Sequence, residues 1–193
     1  MYEVEVKIRA DHDAVRATLE DRGAERVGRV RQVDTYYDAP HRDFAATDEA
    51  LRVRRETRLA DADGDESAES GGETTARVTY KGPLVDDESK TRTEHETEVA
   101  DGETMDAVLD GLGFEPAAVV EKGRTFYRLN GYTVTLDAVE GVGTFVEVER
   151  EAKAEADVES VRDGAYAVVR QLGLDPDDQI RTSYLGMLLG AEE

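Results

Sequence analysis

Alternation with a period of two, written in charge, constrains this chain more than any other feature. Glu3, Glu5 and Lys7 alternate with Val4, Val6 and Ile8. On an extended strand, residues two apart share a face and sit about 6.6 Å apart. The segment therefore has one charged stripe and one apolar stripe. The parity recurs along the chain. Asp34, Tyr36 and Asp38 lie opposite Val33, Thr35 and Tyr37, and Arg52 and Arg54 opposite Leu51 and Val53. Arg77 and Lys81 flank Val78 and Tyr80, and Arg92, Glu94, Glu96 and Glu98 form a fifth charged stripe. Lys122 and Arg124, then Asp137, then Glu147 and Glu149 continue it, the last pair alternating with Val146 and Val148.

Helix signals fall between these strands. Asp11 can cap a helix running to Arg22 with Gly23 as its stop, and Asp101 a second one ended by Gly113. Apolar spacing predicts two closing helices, Val158–Leu172 and Gln179–Leu189. The acidic, Ser/Gly-rich stretch Ala60–Thr75 reads as a mobile hairpin tip without chemistry. A shift of 90 residues places Asp11 on Asp101, Leu19 on Leu109, Gly23 on Gly113 and Tyr36-Tyr37 on Phe126-Tyr127. Two pseudo-repeats follow, 1–83 and 91–151, each one strand, a helix and three strands, within a single domain 1–193 that ends in helices over 157–190.

Eight strands with four amphipathic helices to cover their apolar stripes predict an α+β fold: an eight-stranded antiparallel β-barrel with helices outside and the charges in the lumen. The rival is an open sheet with one wet face, where cross-strand ion pairs contribute at most about 1 kcal/mol each. The closed form is preferred because the parity holds on all eight strands. A lumen of both signs is costly unless something occupies it. Clustered carboxylates call for divalent cations and surplus arginine and lysine for a polyanion, demands that a metal-chelated triphosphate meets together.

Forty-five acidic residues against 24 basic ones leave a formal net charge of −21, which disfavours nucleic acid and anionic membranes as partners. Only five of the 24 bases are lysines. Such an acidic, lysine-poor surface suggests a halophilic setting, where salt relieves self-repulsion; a fold that persists in dilute buffer would count against it. With no cysteine there is neither disulfide nor thiolate metal site. No apolar run reaches membrane length, so a soluble, cytoplasmic protein is expected.

Glu3-x-Glu5-x-Lys7, Asp34-Thr35-Tyr36-Tyr37-Asp38, Leu51-Arg52-Val53-Arg54, Tyr80-Lys81-Gly82-Pro83, Glu121-Lys122-Gly123-Arg124 and Glu147-Val148-Glu149 occur in this order, with Ser183-Tyr184-Leu185 near the end. The set resembles the CYTH superfamily, the triphosphate tunnel metalloenzymes. Its overall pattern looks most like the class IV adenylyl cyclase branch, with thiamine triphosphatase a near cousin. The resemblance implies an eight-stranded tunnel that binds a triphosphate with Mg²⁺ or Mn²⁺. It assigns metal binding to Glu3, Glu5, Asp137, Glu147 and Glu149. Phosphate binding falls to Lys7, Arg52, Arg54, Lys81 and Arg124, with Arg92 and Lys122 as further candidates. Tyr36 and Lys81 correspond to residues linked to water activation in thiamine triphosphatases. Cyclisation of ATP to cyclic AMP and pyrophosphate, hydrolysis of thiamine triphosphate, tripolyphosphate or a nucleoside triphosphate, and binding of a nucleotide or polyphosphate without catalysis all fit these residues. The closing helices could stop a tunnel mouth or form a homodimer surface.

Overall fold

A computed structural model describes residues 2–60, 72–85 and 88–190. Its strands are β1 (Tyr2–Arg9), β2 (Glu25–Asp38), β3 (Ala50–Leu59), β4 (Thr74–Leu84), β5 (Arg92–Val99), β6 (Glu115–Leu129), β7 (Tyr132–Val139) and β8 (Gly143–Ala152). The helices are α1 (His12–Asp21), α2 (Phe44–Thr47), α3 (Gly102–Gly111), α4 (Val158–Gln171) and α5 (Tyr184–Gly190). Hydrogen bonding closes the strands into one barrel in the order β1-β5-β4-β3-β2-β6-β7-β8, every neighbour antiparallel. Closure removes sheet edges and gives each strand an inner and an outer face.

The apolar stripes face outward. Val4, Val6 and Ile8 of β1 join Val134 and Leu136 of β7 and Val146 and Val148 of β8 in a core under α1 and α4. Val15 and Leu19 close it from α1, and Val161, Ala165, Val168 and Val169 from α4. A smaller cluster, Tyr37, Val53 and Leu109, seats α3 on β2 and β3. The Asp11 and Asp101 carboxylates accept from the first helical N–H groups of α1 and α3, as their positions predicted. Asn130 (φ 53°) and Gly131 (φ 79°) make the tight turn between β6 and β7 with the positive φ angles such a hairpin requires.

Several boundaries differ from expectation for local reasons. The last helix starts at Tyr184, because the Ile180 N–H donates to the Lys7 carbonyl at 2.7 Å and holds the preceding segment against β1. The Ser183 hydroxyl then accepts from the Gly186 N–H. Helix α5 does not lie on the barrel's flank. It stops one mouth, packing on Tyr36, Val120, Val139 and Phe145. β4 runs through Gly82-Pro83 to Leu84, the register shifting after Lys81, a bulge that tolerates the missing proline N–H. Of the expected acidic loop, Thr74 and Thr75 pair with Thr57 and Glu56 in the sheet, while 61–71 lies outside the described residues. Asp38 sits exposed beyond a register shift, so it leaves the lumen stripe. No described helix is long and apolar enough to cross a membrane.

Candidate metal and anion tunnel

Counting inward-facing residues away from α5 lays out the tunnel in rings. β2 presents Tyr36, Asp34 and Gln32; β3 Ala50, Arg52, Arg54 and Glu56; β6 Val120, Lys122, Arg124 and Phe126; β8 Phe145, Glu147 and Glu149. Together with β1, β4 and β5 they line a cavity of about 250 Å³.

The acidic wall is made by β1 and β8. Their register sets Glu5 opposite Glu149 and Lys7 opposite Glu147. Carboxylate oxygens of Glu5, Glu147 and Glu149 all lie within 4.8 Å of one another. Burial and the neighbouring charges of Glu3, Glu147 and Glu5 push the Glu149 carboxyl up to about 8. Burial acts the same way on Glu147, but Arg124, Lys7 and Lys122 outweigh it and hold that carboxyl below the ordinary range. Three hard oxygen donors, one strained by its like-charged neighbours, suit a hard divalent ion such as Mg²⁺ or Mn²⁺.

The basic wall is made by β2, β3, β4 and β6. Asp34, 0% exposed, receives both prongs of the Arg54 fork at 2.7 and 2.6 Å and Arg52 Nη1 at 3.2 Å. Burial would raise its carboxyl, yet the two guanidinium groups hold it well below the usual carboxylate range. Arg124 forks onto Asp137 and also reaches Glu147. Lys81 lies between Glu3 at 2.9 Å and Glu94 at 2.6 Å. Those carboxylates outweigh burial and keep its amine firmly charged. Lys122 is 3.7 Å from Asp137, and burial beside Arg124 pushes its amine down to about 8.

The expected site residues thus share one lumen without making one cluster. Glu5, Glu147 and Glu149 come together, whereas Glu3 sits on Lys81 and Asp137 is engaged by Arg124, Lys122 and Tyr184. Arg92, 3% exposed, donates to the Asp48 carbonyl at 2.5 Å and carboxylate at 2.6 Å. Tyr36 stands opposite Arg52 in the β2–β3 register, and none of the described bonds joins it to Lys81. Among the lining residues to which sequence reasoning gave no role, three stand out. The Tyr184 hydroxyl donates to Asp137 Oδ2 at 3.0 Å, and its ring lies 4.4 Å from Lys7 Nζ and 5.0 Å from Lys122 Nζ. Lys90, 9% exposed in the β4–β5 connection, is set by its N–H on the Glu5 carbonyl; burial with Lys7 and Arg92 nearby pushes its amine down to about 8. Gln32 is the third. Strand parity already placed it beside Asp34, but Tyr184 and Lys90 lie outside any strand, where parity is silent.

A family model described as CYTH domain matches residues 1–184. The chain is 34% identical over 186 residues to a protein of Methanocaldococcus jannaschii named "Putative adenylate cyclase", covering 96% of this chain and 97% of that one. Among solved structures, a Pyrococcus horikoshii OT3 protein aligns with TM-score 0.86 at 35% identity, covering 98% of this chain and 99% of its own. A Hippeastrum protein described as a "putative adenylyl cyclase" with a dominant triphosphatase activity aligns with TM-score 0.63 at 17% identity, covering 98% and 95%. That last likeness concerns the fold alone.

Proposed function

We propose that this chain, which belongs to the CYTH domain family, binds a metal-chelated triphosphate in its tunnel and converts ATP to cyclic AMP and pyrophosphate. The observation that carries the reading is the division of the lumen. The Glu5, Glu147 and Glu149 carboxylates stand on one wall, and Arg52, Arg54, Lys81, Lys122 and Arg124 line the other. Transfer at phosphorus asks little covalent help of a protein, so positioning and neutralisation of charge supply most of the rate.

In this reading Glu5, Glu147 and Glu149 hold Mg²⁺ or Mn²⁺, which when bound neutralises phosphate oxygens and orients them. Lys7, Lys81, Lys90 and Lys122 meet non-bridging oxygens as point charges, and Arg52, Arg54 and Arg124 as planar forks. Asp34 and Asp137 orient those forks, Tyr184 braces Asp137, and Arg92 ties the β2–β3 loop to the mouth through Asp48. The ribose 3′-oxygen bonds to the α-phosphorus, the bond to the β-phosphate bridge breaks, and pyrophosphate leaves as the hydroxyl proton is released. A second reading, hydrolysis of a triphosphate, is favoured by one observation. Of the aromatic residues lining the tunnel, Tyr184 is tied to Asp137 and Phe126 lies 5.8 Å from the Arg124 guanidinium, which leaves Tyr36, beside the stopped end, to meet a base.

Incubation with ATP, thiamine triphosphate or tripolyphosphate, with Mg²⁺ or Mn²⁺ in high salt, separates the readings. Cyclic AMP with pyrophosphate supports cyclisation, and orthophosphate supports hydrolysis. Tight binding without product establishes a non-catalytic module, and neither binding nor turnover sinks the tunnel reading.

A pH dependence follows from the buried amines. Lys90 and Lys122, pushed down to about 8, lose their protons as pH rises through that value. Glu149 ionises over the same interval and adds a negative charge. All three titrations weaken anion binding in the same direction when no metal is bound. Calorimetry with a chelator present should show tripolyphosphate binding about tenfold or more weaker at pH 9.5 than at pH 7, since a hydrogen bond to a charged group contributes roughly 1.5–3 kcal/mol. Equal affinity at both values removes these amines from the anion site.

A further inference from the structure

Gln32 presents a buried acceptor that an ionised phosphate cannot satisfy. Its side chain is 1% exposed and lines the tunnel. Nε2 donates to Glu56 Oε2 at 2.6 Å. A carboxylate only accepts, so this bond fixes which end of the amide is oxygen. Oε1 then faces away from Glu56, and it has no hydrogen-bond partner among the described residues. The nearest candidate donor by register is Lys122, its cross-strand neighbour on β6. That ammonium is drawn elsewhere, to Asp137 at 3.7 Å and over the Tyr184 ring.

Position along the tunnel adds a second clue. Gln32 stands two inward-facing residues from the stopped end on β2, as Arg54 does on β3 and Arg124 on β6. Register sets the acid Glu56 directly opposite Gln32 on β3, and the next inward-facing residue beyond Arg124 on β6 is the apolar Phe126. Gln32 therefore marks the border between the cation belt and an outer ring unsuited to phosphate. Phosphate oxygens that are fully ionised or metal-bound accept hydrogen bonds and do not donate them. A ligand made of phosphate alone leaves Oε1 unpaired, whereas a hydroxyl or amino group would pair it.

We infer that Gln32 reads a hydrogen-bond donor on the organic part of the triphosphate and so makes the tunnel select organic triphosphates over tripolyphosphate. This rests on the triphosphate reading above and names the substrate class within it. A site built to bond a donor discriminates strongly against an analogue that lacks it, because its own polar group is then stranded.

The test compares competition constants, with Mg²⁺ present, for ATP, 2′-deoxy-ATP, 3′-deoxy-ATP, purine riboside triphosphate and tripolyphosphate. The native protein should prefer ATP to tripolyphosphate by about tenfold or more. Gln32→Met keeps the shape and removes the acceptor, so that preference should shrink by a similar factor. One of the three analogues should lose the same factor in the native protein and be indistinguishable from ATP in the variant. That analogue tells whether the donor is a ribose hydroxyl or the base amine. An unchanged preference in the variant overturns the inference. So does a native protein that treats all analogues alike or takes tripolyphosphate as readily as ATP. The native analogue series decides even where the variant does not fold. Failure to bind any triphosphate defeats the wider reading instead, and is recognised by the silence of every ligand.

Discussion

Glu5→Ala should lower metal-dependent turnover by about a thousandfold while leaving the metal-free barrel at least as stable. The two effects have opposite signs for one reason. The oxygens of Glu5, Glu147 and Glu149 lie within 4.8 Å of one another, and like charges that close repel unless a cation lies among them. Without metal, removing one carboxylate relieves that repulsion. Lys7 gives up an ion pair at 3.5 Å and keeps Glu147 at 3.8 Å. The outward valines on either side, Val4 and Val6, stay in the core under α4, so β1 has no reason to leave the barrel. With metal, the loss is of a ligand whose ion contributes several kcal/mol of charge stabilisation, and about 4 kcal/mol corresponds to a thousandfold in rate. Turnover against Mg²⁺ concentration, paired with thermal melts in chelator, measures both. Turnover within severalfold of the native rate at saturating Mg²⁺ would take Glu5 out of the metal site. A large fall in melting temperature would mean that the trio serves folding instead.

What strand parity can and cannot convey is plain from these residues. Side chains on a strand alternate strictly, so once Val4 and Val148 are known to face a helix, Glu5 and Glu147 must face the lumen. The same logic reached Asp34, Arg52, Arg54, Lys122, Arg124 and Asp137, all of which line or lie buried within the tunnel wall. Parity says nothing about who meets whom inside. The β6–β7 register sets Asp137 directly opposite Arg124, and the β7–β8 register sets it opposite Phe145, away from the carboxylate trio. Asp48, at φ 53°, turns its loop so that Arg92 is bound there. Tyr184 enters the lumen from a segment whose Ile180 N–H docks on β1, far away in sequence. These are tertiary choices between partners of equal chemistry, and no periodicity carries them. The ordered motifs that resemble the CYTH superfamily reach Ser183-Tyr184-Leu185 near the chain's end but gave that tyrosine no role in the site.

Asp34→Ala should destabilise the protein by about 3–5 kcal/mol, the cost expected when one partner of a buried ionic cluster is removed and charge is stranded. Arg54 loses both prongs of its fork, and Arg52 is left with Glu94 and Glu96, each 4.0 Å away. The pH dependence has a definite sign. Asp34 has a folded value below its ordinary one near 3.9. Its stabilisation is therefore complete above about pH 4 and is lost as pH falls toward the folded value. Denaturant unfolding at pH 7 should show the full penalty, and the gap between native and variant should narrow steadily below pH 4. A gap that persists undiminished to pH 2 would show that Asp34 acts through packing and not through charge. Ligand binding gives the variant a second reading. If Asp34 pre-orients the forks, tripolyphosphate should raise the melting temperature of the variant less than that of the native protein. If Asp34 instead competes with phosphate for them, the variant should gain more. An acid between two arginines can do either, and the sign of that difference tells whether the basic wall is held ready for its ligand or held back from it.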